Sequence, residues 1–339
     1  MTSVPLGVLF LVLAGAMNGS FTLPMKFTRR WAWENTWLVW TIFALGIFPP
    51  ILAISTIPNL GSVYQQPGMA TYELIVIGCG AGWGISQVFF GLAVEAVGIA
   101  LAFSVILGIA AAVGSIVPLV RDHAEKIPTN GGMLVFAGVA LVIVGVGICA
   151  VAGRKREAIL GQGAAGKPSL VKGLVFCLIS GVGSALVNLG LTFGNPLVRA
   201  AGLAGAAPLW APNQVWLLLM CAGGVPNLIY CIYLMKKNRT GGNFAVSGTA
   251  GYWFLAALMA FFWFASTVLY GVATVTLGEL GAVFGWPLFM SLIVITASFW
   301  GVVTGEWKNT GTQPLLVMYA GVAVLVLAVC VLSVAGRML

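Results

Sequence analysis

Residues 131–153, GGMLVFAGVALVIVGVGICAVAG, form one unbroken apolar run that carries no charge. About 20 such residues are enough for a helix that crosses a bilayer, whereas the strands of membrane barrels show short alternating segments. Comparable runs recur along the chain, and charged residues make up only 7% of it, against roughly 25% in soluble globular domains. The sequence therefore predicts an all-α polytopic membrane protein without room for a soluble catalytic domain.

Turn residues and charges divide the apolar sequence into ten predicted transmembrane helices. Their expected ranges are 4–25, 36–55, 70–94, 98–120, 131–152, 172–194, 212–235, 249–275, 278–303 and 314–336. A charged segment with Gly and Pro separates the fifth helix from the sixth. We therefore expect a first five-helix half over 1–152, a cytoplasmic linker over 153–171 and a second five-helix half over 172–339.

Lysine and arginine are distributed unevenly among the loops. Most of them follow odd-numbered helices, as in KFTRR (26–30), RKR (154–156) and KKNR (236–239), and few lie on the opposite side. The positive-inside rule then places the odd loops in the cytoplasm and both termini in the periplasm, as expected for a multi-pass inner-membrane protein. A net charge of +8 would suggest nucleic-acid binding in a soluble protein, but this orientation explains it, and we expect no nucleic-acid partner.

A shift of 180 residues aligns segment 83–102 with segment 263–282. Seven of the twenty aligned positions are identical, including Trp83 with Trp263 and Gly98 with Gly278. Because each half has an odd number of helices, homologous halves must have opposite orientations in the membrane. The sequence thus predicts two inverted five-helix repeats around a water-accessible cavity near the middle of the bilayer.

Enzymatic and metal-binding motifs are absent from the sequence. The one histidine, His123, lies in the charged stretch RDHAEK, and the six cysteines lie in apolar runs without the spacing of metal ligands. The glycine-rich stretch GCGAGWG (78–84) lies inside an apolar helix, where small residues favour close helix packing. We therefore expect neither an enzyme nor a bound metal or cofactor.

Amide side chains within the apolar helices need polar partners or a wet cavity, because burying an unpaired amide costs roughly 1–3 kcal/mol. The candidates are Asn18, Gln87 and Asn188, together with Asn213 and Gln214 at the start of the seventh helix. For each of them, hydrogen bonding between helices is an equally open alternative. Asn18, Gln87 and Asn188 mark the repeat-related elements, where inverted-repeat transporters bind their substrates.

Aromatic side chains occur in the same helices, where a ring face beside amides suits a neutral polyol. The candidates are Trp263, Tyr270 and Trp286. Tryptophans near helix ends are more typical of the membrane interface, and we interpret Trp37 and Trp40 in this way. Pro287 follows Trp286 inside the ninth helix, where a missing N–H is expected to kink the helix and free a backbone carbonyl.

Two carboxylates are candidates for proton coupling. Glu73 lies about one turn into the third helix, and Glu279 lies at the start of the ninth, directly after Gly278 of the repeat. A partly desolvated carboxylate has a raised pKa and can exchange a proton as its exposure changes. An interfacial, solvated carboxylate is the alternative for each of them, and Glu279 is our first choice because of its place in the repeat.

Three segments resemble the L-rhamnose-proton symporter family, a group within the drug/metabolite transporter superfamily. They are KFTRRWAWENTW (26–37), GAGWGISQVFFGLAVEAVG (80–98) and GEWKNTGTQP (305–314), and the resemblance extends over nearly the whole chain. It implies uptake of L-rhamnose or a similar 6-deoxyhexose with protons across the inner membrane, by alternating access in a ten-helix carrier.

Two other functions stay open at this point. An exporter or exchanger of another small metabolite would use the same scaffold. A receptor or scaffold protein without transport is disfavoured, because so little of the sequence lies outside the predicted helices. The expected partners are therefore a small sugar, protons and the lipid bilayer, and the sequence does not indicate an oligomeric state.

Overall fold

The computed structural model describes residues 3–161 and 170–339, and every regular element within them is helical. The long helices are α1 (Val4–Ser20), α5 (Met69–Val97), α6 (Ile99–Asp122), α7 (Asn130–Ile159), α8 (Leu170–Phe193), α10 (Asn213–Asn238), α11 (Ala250–Leu277), α12 (Gly281–Val303) and α13 (Thr312–Met338). The short ones are α2 (Trp33–Thr41), α3 (Phe48–Thr56), α4 (Leu60–Tyr64) and α9 (Asn195–Leu203). Ten spans within these residues are long and apolar enough to cross a membrane, which confirms the predicted helical class. Part of the predicted linker, 162–169, lies outside the described residues.

The second span contains a break that the sequence analysis did not predict. A π-helical segment, Ile42–Ile47, joins α2 to α3, and Pro49 and Pro50 occupy the first turn of α3. Two successive prolines remove two backbone donors, so the α-helical bonding pattern cannot continue across them. The N–H of Phe48 instead donates to the carbonyl of Phe43, one residue further back than in an α-helix.

Both segments of the predicted repeat contain the same backbone break. Helix α5 ends at Val97 and Gly98 has φ +88°, while α11 ends at Leu277 and Gly278 has φ +89°. These values lie in the region that only glycine adopts readily. The two breaks are 180 residues apart, which agrees with the repeat alignment, and the inverted orientation of the halves stays a prediction.

The chain forms two compact units, each assembled from separate segments. The first comprises Met1–Gly19, Ser86–Leu189 and Ala273–Leu339, and the second comprises Ser20–Ile85 and Gly190–Val272. Each unit therefore draws on both predicted halves, because compactness and repeat homology divide the chain differently. The repeat boundaries proposed from the sequence stay predictions.

Helices α6, α7, α12 and α13 pack together in the first unit. Close approach depends on glycines, since a Cβ on Gly138 would meet the side chain of Leu332, and one on Gly321 would meet Cys149. Small residues of this kind let transmembrane helices approach closely where no hydrophobic effect drives them together.

Helix α10 packs against α2 and α3 in the second unit and crosses α5. At the crossing, a Cβ on Gly80 would collide with the backbone of Leu219, and one on Gly84 with the backbone of Gly223. These contacts confirm the predicted packing role of Gly80 and Gly84. Gly78, in the same stretch, has open space instead.

Candidate functional site

A cluster of tryptophans lies inside the second unit. The rings of Trp83 and Trp263 stack with centroids 5.4 Å apart and planes 19° apart. Trp40 meets Trp263 edge-on at 5.1 Å. Trp83 and Trp40 are buried, whereas Trp263 is only partly buried. Gly223 makes room for this stack, because a Cβ there would lie 2.6 Å from the Trp83 ring.

The aromatic contacts continue along α2. Trp37 packs on Trp40 with ring centroids 4.5 Å apart, and its indole N–H donates to Asn227 Oδ1 at 3.3 Å. The Asn227 amide in turn donates to the Gly223 carbonyl at 2.9 Å. Trp40 is only 1% exposed, so the interfacial interpretation of this residue is wrong. It packs in the core because α2 turns this face of the helix toward α10 and α11.

The described residues of the second unit include several buried polar atoms without a hydrogen-bond partner, among them atoms of Gln214 and Glu73. The Gln214 side chain is fully buried, and neither its amide nitrogen nor its amide oxygen has a hydrogen-bond partner among residues 3–161 and 170–339. Glu73 Oε1 is likewise buried and unpaired within that part of the chain. The Tyr64 hydroxyl donates to the Gln214 carbonyl at 3.3 Å. Burial and, to a smaller extent, the charge of Glu73 raise the pKa of Tyr64.

Unpaired buried polar groups are rare because each costs about 1–3 kcal/mol. A carboxylate, a tyrosine hydroxyl and a primary amide could together hold water, a proton or a hydroxylated ligand. Glu73 and Gln214 were candidates from the sequence, whereas Tyr64 was not predicted. Tyr64 lies between the second and third predicted helices, where a tyrosine carries no functional signal of its own.

Asn188 joins three helices of the first unit. Its side chain is fully buried, and its amide donates to the Gly114 carbonyl at 2.7 Å and to the Ala282 carbonyl at 3.1 Å. Pro118 lies inside α6 and has no N–H, so it leaves the carbonyl of Gly114, four residues earlier, without its helical donor. Asn188 of α8 satisfies that carbonyl.

A second proline in the same unit produces a matching arrangement. Pro287 of α12 leaves the Val283 carbonyl without its helical donor, and the Ser115 hydroxyl of α6 donates to it at 2.5 Å. The sequence correctly predicted that Pro287 leaves a carbonyl without its helical donor. A side chain of the neighbouring helix α6 supplies the hydrogen bond instead. Trp286 is buried, and its indole N–H donates to the Ala110 carbonyl at 2.9 Å.

The other predicted site residues have different surroundings. Tyr270 is fully buried, and Asn18 and Gln87 are partly buried. Glu279 is exposed in the turn between α11 and α12. Asn188 and Trp286, both in the first unit, donate to carbonyls of α6 that lie one turn apart, those of Gly114 and Ala110.

Comparison with known proteins agrees with this architecture. The sequence profile of the family described as L-rhamnose-proton symport protein matches residues 1–337. The L-rhamnose-proton symporter of Escherichia coli (strain K12 / DH10B) is 26% identical over 339 residues, covering 98% of each chain. Those of Escherichia coli O17:K52:H18 (strain UMN026 / ExPEC) and Salmonella gallinarum (strain 287/91 / NCTC 13346) are 27% identical over 333 residues and 96% of each chain. A match over nearly the whole length of both chains covers every span, and the chain therefore belongs to the L-rhamnose-proton symport protein family.

Proposed function

We propose that this protein is a secondary transporter that takes up L-rhamnose or a similar 6-deoxyhexose together with protons. The family match over residues 1–337 carries this proposal, because it extends over the ten candidate spans of the described residues. Nothing in the match favours the exporter or exchanger considered from the sequence. Because the chain belongs to a family of transporters, we also expect it to have no enzymatic activity.

We infer that Trp263 of the second unit contacts the sugar. Trp263 is only partly buried, and a partly exposed indole offers an apolar face of the kind that ligand pockets use. Asn18 and Gln87 of the first unit are partly buried, and they stay candidates from the sequence for hydrogen bonds to sugar hydroxyls. Asn188, Trp286 and Tyr270 are buried, and we assign them to holding the helices that carry the contact residues.

For proton coupling we favour Glu73 over Glu279. Glu73 Oε1 is buried and has no partner among the described residues, whereas Glu279 is exposed in a turn. A carboxylate within a membrane span is the kind of group that proton-coupled transporters use to carry a proton. Protonation of Glu73 would give its carboxyl group a donor that an ionised carboxylate lacks.

The membrane arrangement follows from the same proposal. We propose that both termini lie in the periplasm; the even number of candidate spans in the described residues and the excess of basic residues in the odd loops support this orientation. Two inverted repeats would then support alternating access, with one repeat rocking against the other. The shared break at Gly98 and Gly278 supports this arrangement.

Uptake into proteoliposomes tests the proposed function directly. We expect the purified protein to accumulate labelled L-rhamnose when the exterior is made acidic, and a protonophore should abolish that accumulation. Unlabelled 6-deoxyhexoses should compete, while a disaccharide should not. Rhamnose entry that ignores the imposed pH gradient would contradict proton coupling, and absence of any rhamnose flux would contradict the substrate.

A further inference from the structure

An elongated cavity of about 260 Å³ lies in the first unit among α6, α7 and α12. It is larger than the apolar cavity of about 150 Å³ that binds benzene in an engineered protein core. Along α7 its lining residues run from Val146 to Arg156, and along α12 from Ile293 to Gly301. Phe103 and Ala297 are exposed, so the cavity is open at the apolar surface of the unit.

The depth of the cavity matches one leaflet of a bilayer. Ten residues of helix from Val146 to Arg156 correspond to about 15 Å at 1.5 Å per residue, which is half of a hydrocarbon core of about 30 Å. Its charged residues are confined to one end, where α7 and α12 both terminate. The remainder is lined by apolar or small side chains, as an acyl chain requires.

Arg156, Glu306 and Trp307 contact one another at the charged end of the cavity. Arg156 Nη1 donates to Glu306 Oε2 at 2.9 Å, and the guanidinium lies 5.5 Å from the centre of the Trp307 ring. Arg156 Nε is buried and has no hydrogen-bond partner in the described part of the chain. One strong donor therefore remains available to an anionic oxygen at this end of the cavity.

The end of α12 fixes the position of Glu306. The Glu306 N–H donates to the Gly301 carbonyl at 2.9 Å and the Gly305 N–H donates to the Val302 carbonyl at 3.0 Å, with Gly305 at φ +77°. These are the two bonds of a Schellman motif, which ends a helix with glycine in a left-handed conformation. Gly301 also leaves space, since a Cβ there would lie 3.4 Å from Glu306 Oε2.

We propose that this cavity binds one phospholipid with an ethanolamine headgroup, its phosphate on Arg156 and its ammonium on Glu157 and Glu306. The charged residues that line the cavity are one arginine and two glutamates, so a purely anionic headgroup would leave an excess of negative charge. A primary ammonium supplies hydrogen-bond donors to carboxylates, which a choline headgroup lacks. One acyl chain occupies the apolar part of the cavity.

Native mass spectrometry with phosphatidylethanolamine, phosphatidylcholine and phosphatidylglycerol of identical acyl chains tests this site. We expect the wild-type protein to bind the ethanolamine lipid roughly tenfold more tightly than the choline lipid, as one charge-assisted hydrogen bond would provide. Glu157→Gln should reduce that preference, because it removes one charged acceptor. Ala297→Trp should weaken binding of the ethanolamine lipid by filling the cavity from its exposed side.

Arg121→Gln is the matched control, because Arg121 forms an exposed ion pair with Asp122 at the opposite end of α6. This variant should retain the lipid preference of the wild-type protein. Equal affinity for the three lipids, tighter binding of phosphatidylglycerol, or undiminished binding by Ala297→Trp would each overturn the proposal. Lipid binding is measured without sugar, so these results are independent of the proposed transport function.

Discussion

Trp83 and Trp263, which the repeat alignment places at equivalent positions, stack on each other with ring centroids 5.4 Å apart. When two copies of an element are related by a two-fold axis, equivalent residues can meet each other only near that axis. The stack therefore supports the predicted pseudo-symmetry by an observation independent of the sequence identities. One of the two stacked residues, Trp263, is also the residue that we propose to contact the sugar.

Removing the Trp263 ring should weaken both substrate binding and the stack. We expect Trp263→Ala to raise the KM for rhamnose uptake, with a smaller effect from Trp263→Phe, because phenylalanine retains an aromatic face. A double-mutant cycle with Trp83→Ala should give a coupling of about 1 kcal/mol in unfolding free energy, as aromatic pairs do. Trp210→Ala, at a residue that is 40% exposed, is the control and should change neither quantity. Additive effects of Trp83→Ala and Trp263→Ala would show that the stack has no energetic role.

The sequence predicted the fold more completely than it predicted the site. Transmembrane helices follow from uninterrupted apolar length, because in lipid each helix must satisfy its own backbone. The amides were ambiguous because the same side chain suits a ligand or a neighbouring helix. Pro118 lies inside a predicted helix, as Pro287 does, and frees the Gly114 carbonyl in the same way. The sequence did not indicate that Asn188, 74 residues further along the chain, would donate to that carbonyl.

The two carboxylates can be distinguished by separating accumulation from exchange. We expect Glu73→Gln to abolish rhamnose accumulation driven by a pH gradient while sparing downhill exchange, because glutamine resembles the protonated acid but cannot release a proton. Glu279→Gln should leave accumulation close to wild type, since Glu279 is exposed in a turn. Both rates can be measured in the same proteoliposomes with labelled rhamnose.

The reverse pattern would assign the proton to Glu279, as the repeat suggested from the sequence alone. In that case, the exposure of Glu279 would have to change during the transport cycle. Equal loss of accumulation and exchange in Glu73→Gln would instead indicate a role of Glu73 in sugar binding or folding. Thermal stability of each variant, measured in detergent, identifies a folding defect.

The crossing of α5 and α10 should tolerate no side chain at Gly84. We expect Gly84→Ala to lower the unfolding free energy by about 1–3 kcal/mol, because its Cβ would collide with the Gly223 backbone, which cannot move as a side chain can. Gly78→Ala, six residues earlier on the same helix and facing open space, is the matched control and should be neutral or stabilising. Thermal melts of the purified variants measure both effects. Equal melting temperatures would mean that the helices separate at this crossing without loss of stability.

Asn188 and Pro118 should be energetically coupled through the Gly114 carbonyl. Asn188→Ala removes two hydrogen bonds and leaves a buried carbonyl unpaired, so we expect a loss of about 1–2 kcal/mol. In a Pro118→Ala background, the restored N–H of residue 118 can bond that carbonyl within α6, and the cost of Asn188→Ala should fall by roughly half. Ser333→Ala, which removes a hydroxyl bonded within its own helix, is the control and should cost less than about 0.5 kcal/mol. Chemical unfolding of the four variants of the cycle measures the coupling, and an unchanged cost in the Pro118→Ala background would show that Asn188 does not compensate for the proline.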